Sequence, residues 1–308
     1  MSAFIPTLRS AFLYLSRQKQ LRHWMETSSL AHRLTERFVA GLRLEEAIRA
    51  ASELQRANML SSLDYLGENV KQLEEATQAR AEYLAALRTV YPLQGTVSAK
   101  LTALGLDISE QACRDNANAL VSLACETGTR VEFDMEDSSY TERTLKIVHL
   151  LHQQHGGGVR AVIQAYLYRS EADIHELCDQ HVPVRLCKGA YKEPSDNAFP
   201  EKAAVDANYV KLMKVLFDRG TYPGIATHDD NMISATLQYV DERRIRPDAF
   251  EFQMLYGVRR ELQQRIVKKG HRLRLYVPYG AAWYPYFMRR LAERPANILF
   301  LAKSLFKG

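Results

Sequence analysis

The 308-residue chain predicts an α/β fold: a closed (β/α)8 barrel behind a helical N-terminal segment. From Met59 onward, eight short apolar runs alternate strictly with amphipathic helical patterns, and such alternation builds a parallel sheet. Eight units in about 240 residues match one closed barrel. The first run leads into Asp64-Tyr65-Leu66-Gly67-Glu68, where an open doubly wound sheet would carry a glycine-rich phosphate turn.

Residues 1–58 read as a helical segment packing on a barrel formed by 59–308. Leu30, Leu34, Phe38 and Val39 fall on one helix face after Thr27-Ser28-Ser29, a capping sequence, and Gly41 is a natural stop. Leu44, Ala47, Ile48, Ala51 and Leu54 form the next apolar stripe. Strands are expected at 60–66, 96–101, 130–135, 161–166, 183–187, 224–227, 250–254 and 273–277. Helical patterns fill the gaps, among them Leu145/Val148/Leu151 and Val210/Met213/Leu216/Phe217. Pro92, Gly128, Gly156-Gly157-Gly158, Gly220, Pro247 and Gly270 punctuate the joins.

Composition narrows the function classes. Hydrophobic residues make up 46% and charged ones 25%, the balance of a water-soluble globular chain, not a disordered or fibrous one. No apolar run reaches the roughly 18 residues of a membrane-spanning helix. The first sixteen residues lack an export-signal pattern, which implies a cytoplasmic protein. The net charge of +5 is mild and its basic residues are interleaved with acids, so no nucleic-acid-binding face is expected. Cys113, Cys125, Cys178 and Cys187 contain no CxxC pair and read as reduced thiols.

Barrel enzymes work at the carboxyl ends of their strands, so polar residues ending apolar runs are informative. Lys100, Asp134, Gln164, Arg185, Lys188, Thr227 and His228 stand at or near successive strand ends. A single charge there is usually a rim salt bridge; a ring of them implies pairing with one another or with a ligand. The cations after strands two and five, with Gly189 permitting close backbone approach, favour anionic groups. In the last helix, Tyr286 lies three and four residues before Arg289 and Arg290, so the three share a face. Paired guanidiniums bind a carboxylate well, and Arg259-Arg260 after strand seven offer the same chemistry; composition leaves both pairs open.

Four strings in order resemble the proline dehydrogenase family: Val184-Arg185-Leu186-Cys187-Lys188-Gly189-Ala190-Tyr191, Ala226-Thr227-His228, Phe250-Glu251-Phe252-Gln253-Met254-Leu255-Tyr256-Gly257 and Tyr286-Phe287-Met288-Arg289-Arg290-Leu291. The resemblance runs from about Phe38 to Asn297. It is to the short monofunctional bacterial form and to the matching domain of proline utilization A. It implies a distorted barrel that holds FAD non-covalently. The implied reaction oxidises L-proline to Δ1-pyrroline-5-carboxylate, by hydride transfer from C5 to flavin N5, with electrons passed to a membrane quinone. Carried over by position, Lys100, Arg289 and Arg290 clamp the substrate carboxylate, and Tyr191, Tyr276 and Tyr286 wall its ring. Glu68 pairs with Arg289 as a gate. Arg185 sits beside flavin N5, and Asp134 orients Lys100 or Tyr276. Phe133, Met135, Gln164, Lys188, Gly189, Ala190, Thr227 and His228 contact FAD, Phe133 and Met135 partly through backbone.

Other signals have plainer readings. His149, His152 and His155 recur every third residue, yet only neighbours in that series face each other, which argues against a metal site. Asp229-Asp230 reads as a helix cap. Segments 4–15 and 298–306, apolar with basic flanks, are candidates for peripheral contact with the inner membrane face, for helix packing, or for contact within a homo-oligomer. The competing enzyme class is a barrel aldolase forming a Schiff base through Lys100 or Lys188.

Overall fold

The computed structural model describes Gln18, residues 37–67 and residues 70–293, with 289–293 described by backbone alone. The calls on Leu30, Leu34, Thr27-Ser28-Ser29, Glu68, segments 4–15 and 298–306, and the side chains of Arg289 and Arg290 lie outside the described residues. Helix α1 (Leu44–Arg56) precedes strand β1 (Leu60–Tyr65) and buries Ala47 and Ala51 of the expected stripe, together with Ala50. The Glu46 carboxylate accepts the Leu42 and Arg43 N–H groups at 2.8 and 2.9 Å, capping the helix.

The units that follow are α2 (Leu73–Val90), β2 (Thr96–Ala99), α3 (Glu110–Glu126), β3 (Val131–Phe133), α4 (Thr141–His155) and β4 (Val159–Gln164). Then come α5 (Ser170–Asp179), β5 (Val184–Cys187), α6 (Lys202–Arg219), β6 (Gly224–Ala226) and α7 (Asp230–Glu242). The chain continues through β7 (Glu251–Leu255), α8 (Arg260–Lys268), β8 (Leu273–Tyr279) and α9 (Trp283–Glu293). Each strand pairs in parallel with its sequence neighbours, and β8 closes on β1. The fourth strand starts two residues earlier than the expected 161–166 and includes a charged residue, Arg160.

Strand side chains alternate between two environments, as the pleat requires. One set faces the helices and is apolar: Leu63, Val97, Val131, Ile163, Leu186, Phe252 and Leu275 are buried in the main core. The other set meets at the barrel axis and is polar: Ser62, Thr96, Ser98, Glu132, Arg160, Arg185, Glu251, Gln253 and Arg274 are all buried. Barrel interiors are usually packed with branched aliphatic side chains; here ion pairs fill the space. Arg160, fully enclosed, bonds Glu251 at 2.5 Å, Glu132 at 3.3 Å and the Tyr222 carbonyl at 3.1 Å. Arg274 bonds both oxygens of Glu251, at 2.9 and 3.1 Å. Gly224 makes room for this layer: a Cβ there would stand 3.1 Å from the Gln253 amide and 3.4 Å from Arg160.

His149 faces Glu176 at 3.4 Å while His155 shares a hydrogen bond with Asn118, so members of the histidine series engage different neighbours. Asp229 does cap a helix, its Oδ1 accepting the Asn231 N–H at 3.0 Å at the start of α7. Among the described residues no helix is long and apolar enough to cross a membrane.

Burial alone would raise the carboxyls of Glu132 and Glu251. The surrounding charges outweigh it, from Arg185, Arg160 and Arg274 at Glu132 and from Arg274 and Arg160 at Glu251, and hold both below the usual carboxylate range. Unfolded glutamates titrate near about pH 4.3, so as pH falls the unfolded chain takes these protons first. The stability from both groups should be full above about pH 5 and drain away below about pH 4.3; a urea-unfolding series against pH that stays flat down to pH 3 would contradict this. Arg160→Leu, which removes one guanidinium from each of two buried carboxylates, should lower the unfolding free energy by about 3–5 kcal/mol, and a loss under about 1 kcal/mol would show that the pairing contributes little.

Candidate active site

The carboxyl ends of β2, β3, β5 and β8 bring four expected residues into one cluster. Asp134, directly after β3, is anchored by its own N–H, which donates to the Ala99 carbonyl at 2.9 Å. Its Oδ1 accepts Arg185 Nη1 at 2.6 Å, and its Oδ2 accepts the Tyr276 hydroxyl at 2.5 Å. Lys100 Nζ stands 3.8 Å from Asp134 and 3.7 Å from Asp64, a fully buried β1 carboxylate. The Arg185 guanidinium lies 5.5 Å from the centre of the Tyr276 ring, within cation–π range. Burial, then the negative charge of Asp134, pushes the Tyr276 phenol well above its ordinary value, so it stays a hydrogen-bond donor.

Arg185 is held from below as well. Its Nε and Nη2 donate to Glu132 Oε2 at 3.1 and 2.7 Å, and Nη2 donates to Ser98 Oγ at 2.8 Å. Asp64, Ser98, Glu132 and Gln253 are functional partners that strand-end reasoning missed. Polar residues at alternating positions of β1, β2, β3 and β7 were the available signal.

A second group lines the rim. Gln164 donates its amide to the Glu136 carbonyl at 2.8 Å, which fixes the side chain across the end of β3. Beyond β5, a cleft of about 560 Å³ is bounded by Tyr166, Lys188, Gly189, Ala190, Tyr191 and Asp206, with others. Gly189 has φ +116°, and a Cβ on it would enter the Tyr166 ring at 2.4 Å, so bare backbone faces the cleft. Lys188 is bonded to Asp206 and, at 2.8 Å, to Asp229. Burial would raise the Asp229 carboxyl; the bonds from Lys188 and the Asn231 N–H bring it down to about 2. The loop beyond is clasped to its neighbours: Glu193 accepts the Ser138 N–H at 2.8 Å and the Tyr166 hydroxyl at 3.2 Å.

Across β6, His228 Nε2 accepts the Leu255 N–H at 2.9 Å, which leaves its ring proton on Nδ1. Thr227 Oγ1 accepts the Asp229 N–H at 3.1 Å. Arg259 donates to the His228 carbonyl at 2.6 Å and pairs with Asp230 at 2.9 Å. Its guanidinium is therefore committed to the β6–α7 turn, which argues against the Arg259-Arg260 pair as the carboxylate clamp. Tyr286 is buried on α9 in an apolar cluster with Phe38, Leu66, Val258, Trp283 and Phe287. Met135 is 6% exposed. Phe133 is fully enclosed in the helix-facing core, so its ring offers no surface at the open end and only its backbone is available there.

Comparison with known proteins places the chain in a family. The family model described as Proline dehydrogenase covers residues 47–303. The chain is 42% identical to Proline dehydrogenase 1 of Bacillus subtilis (strain 168) over 303 residues, 97% of this chain and 99% of that one. It is 38% identical to the Proline dehydrogenase of Deinococcus radiodurans over 281 residues, 89% of this chain and 91% of that one. Among solved structures, it superposes on proline utilization A from Bdellovibrio bacteriovorus, inactivated by N-propargylglycine, with a TM-score of 0.79 and 27% identity. That match covers 85% of this chain and 33% of the other, so this chain spans about a third of that longer protein. Fold, site and sequence define a (β/α)8-barrel oxidoreductase. The chain belongs to the proline dehydrogenase family.

Gly189→Ala should cost about 1–3 kcal/mol of local order, because the backbone is strained for an L-residue and the ring blocks the methyl. Limited proteolysis should then cut faster within 188–201; an unchanged cleavage rate would mean that the loop tolerates the side chain.

Proposed function

We propose that this chain oxidises L-proline to Δ1-pyrroline-5-carboxylate with FAD as its resident group and a quinone as the final electron acceptor, the opening step of proline breakdown to glutamate. One observation carries the reading: in a chain of this family, Lys100, Asp134, Arg185 and Tyr276 converge at the carboxyl ends of the strands. The residues around them suit FAD. The Gly189 backbone lies against Tyr166 where a side chain would not fit, and Gln164 and His228 border the same end. Lys188 suits it less simply, since Asp206 and Asp229 already take two of its three ammonium hydrogens. When bound, FAD supplies the two-electron acceptor.

The chain's own residues bind and orient the substrate. Lys100, with Arg289 and Arg290 from α9, would hold the carboxylate through charge-assisted hydrogen bonds, which fixes the ring's position. Glu68 would close over that clamp by pairing with Arg289. Tyr191, Tyr276 and Tyr286 would wall the ring and exclude water. Arg185 would place positive charge beside the group that gains electrons. Asp134, whose oxygens are already approached by Arg185, Tyr276 and Lys100, serves as their counter-ion and orienting group. Lys100 and Lys188 are each ion-paired with two aspartates, which disfavours either as the amine of a Schiff-base aldolase.

Purified protein should be yellow, and L-proline should bleach it in the absence of oxygen; a colourless protein that takes up no FAD would falsify the reading. Arg289→Met or Arg290→Met should raise the proline KM at least tenfold with FAD retained. Arg259→Ala should lower FAD content and leave KM near that of the wild type. The reverse pattern in steady-state kinetics would move the clamp to strand seven.

A further inference from the structure

We propose that Glu132 is the positioning residue that sets the direction and effective charge of Arg185, and through it the reduction potential of FAD bound above. The inference rests on the flavin-dependent reading. Glu132 is fully buried at the barrel axis and is not among the residues that bound the cleft beyond β5. Its Oε2 accepts two donors from Arg185, at 3.1 and 2.7 Å, and the Gln253 amide at 3.1 Å. Its Oε1 accepts the Thr96 hydroxyl at 2.8 Å. The carboxylate is therefore locked in place, and it locks Arg185 in turn.

Two consequences follow from that geometry. A guanidinium has five N–H donors in a rigid plane. Four are engaged, two by Glu132, one by Ser98 and one by Asp134, which leaves one hydrogen on Nη1 toward the open end. Because Glu132 holds the Nε–Nη2 edge downward, it determines that Nη1 is the edge presented. The second consequence is electrostatic. In the lower layers three guanidiniums, those of Arg160, Arg185 and Arg274, share two carboxylates, those of Glu132 and Glu251. Removing the charge of Glu132 leaves Arg185 less neutralised, in an interior where water screens poorly. An electron-rich reduced flavin is then favoured over the oxidised form. The potential should rise.

The test is the midpoint potential of bound FAD in the wild type, Glu132→Gln, Arg185→Met and the double variant, with FAD content, KM and kcat measured alongside. Glu132→Gln should favour reduced over oxidised flavin about tenfold, a positive shift of about 30 mV for a two-electron couple. The shift should fall by more than half in the Arg185→Met background, because the charge acts through Arg185. A wild-type potential in Glu132→Gln, or an undiminished shift without Arg185, overturns the inference. If Glu132→Gln does not fold, Glu132→Asp keeps the charge but draws the carboxylate back by one methylene. Its kcat should then fall about tenfold with KM and FAD content held, and an unchanged kcat overturns the proposal. A wild-type protein that takes up no FAD overturns the functional reading and this inference together. A flavoprotein that proline reduces, but whose potential ignores residue 132, overturns this inference alone.

Discussion

The barrel depends on charge pairing along its axis. Glu132 and Glu251 meet Arg160, Arg185 and Arg274 where aliphatic side chains would ordinarily close the interior. Such a core gains little over a well-packed apolar one, and breaking a single pair is expensive. What it provides is a rigid charged column ending at the rim. Arg185 is its uppermost member, bound below by Glu132 and above by Asp134.

That column separates two tasks that the sequence assigns to alternating residues. On β3, Val131 and Phe133 face the helix layer and hold the barrel together, while Glu132 and, directly after the strand, Asp134 face the axis and carry charge. The same division explains why Phe133 is core. The loop after β5 packs closely on Tyr166 for a separate reason: Gly189 carries no side chain, and Glu193 accepts the Tyr166 hydroxyl beside the cleft.

Much of this was legible beforehand. The strands fall within a few residues of the apolar runs, and the helices fill the gaps between, because alternating βα units leave few topologies open. The start of β4 was not legible, because Arg160 next to a glycine triplet looks like loop until its partners on β3 and β7 are known. Strand-end reasoning found Lys100, Asp134, Arg185 and Lys188. It missed Glu132, Gln253 and Asp64, which sit deeper in the strands and act through contacts distant in sequence. The role of Arg259 as a tie for the β6–α7 turn was likewise hidden, since its partners His228 and Asp230 lie about thirty residues away.

The most direct measurement is rapid-mixing reduction of enzyme-bound FAD by L-proline, without oxygen, in the wild type and in Arg185→Met. If the axial column exists to place one positive charge at the reacting centre, the variant should retain FAD and proline affinity yet reduce at least about a hundredfold more slowly. An unchanged rate in a fully loaded variant would contradict the account.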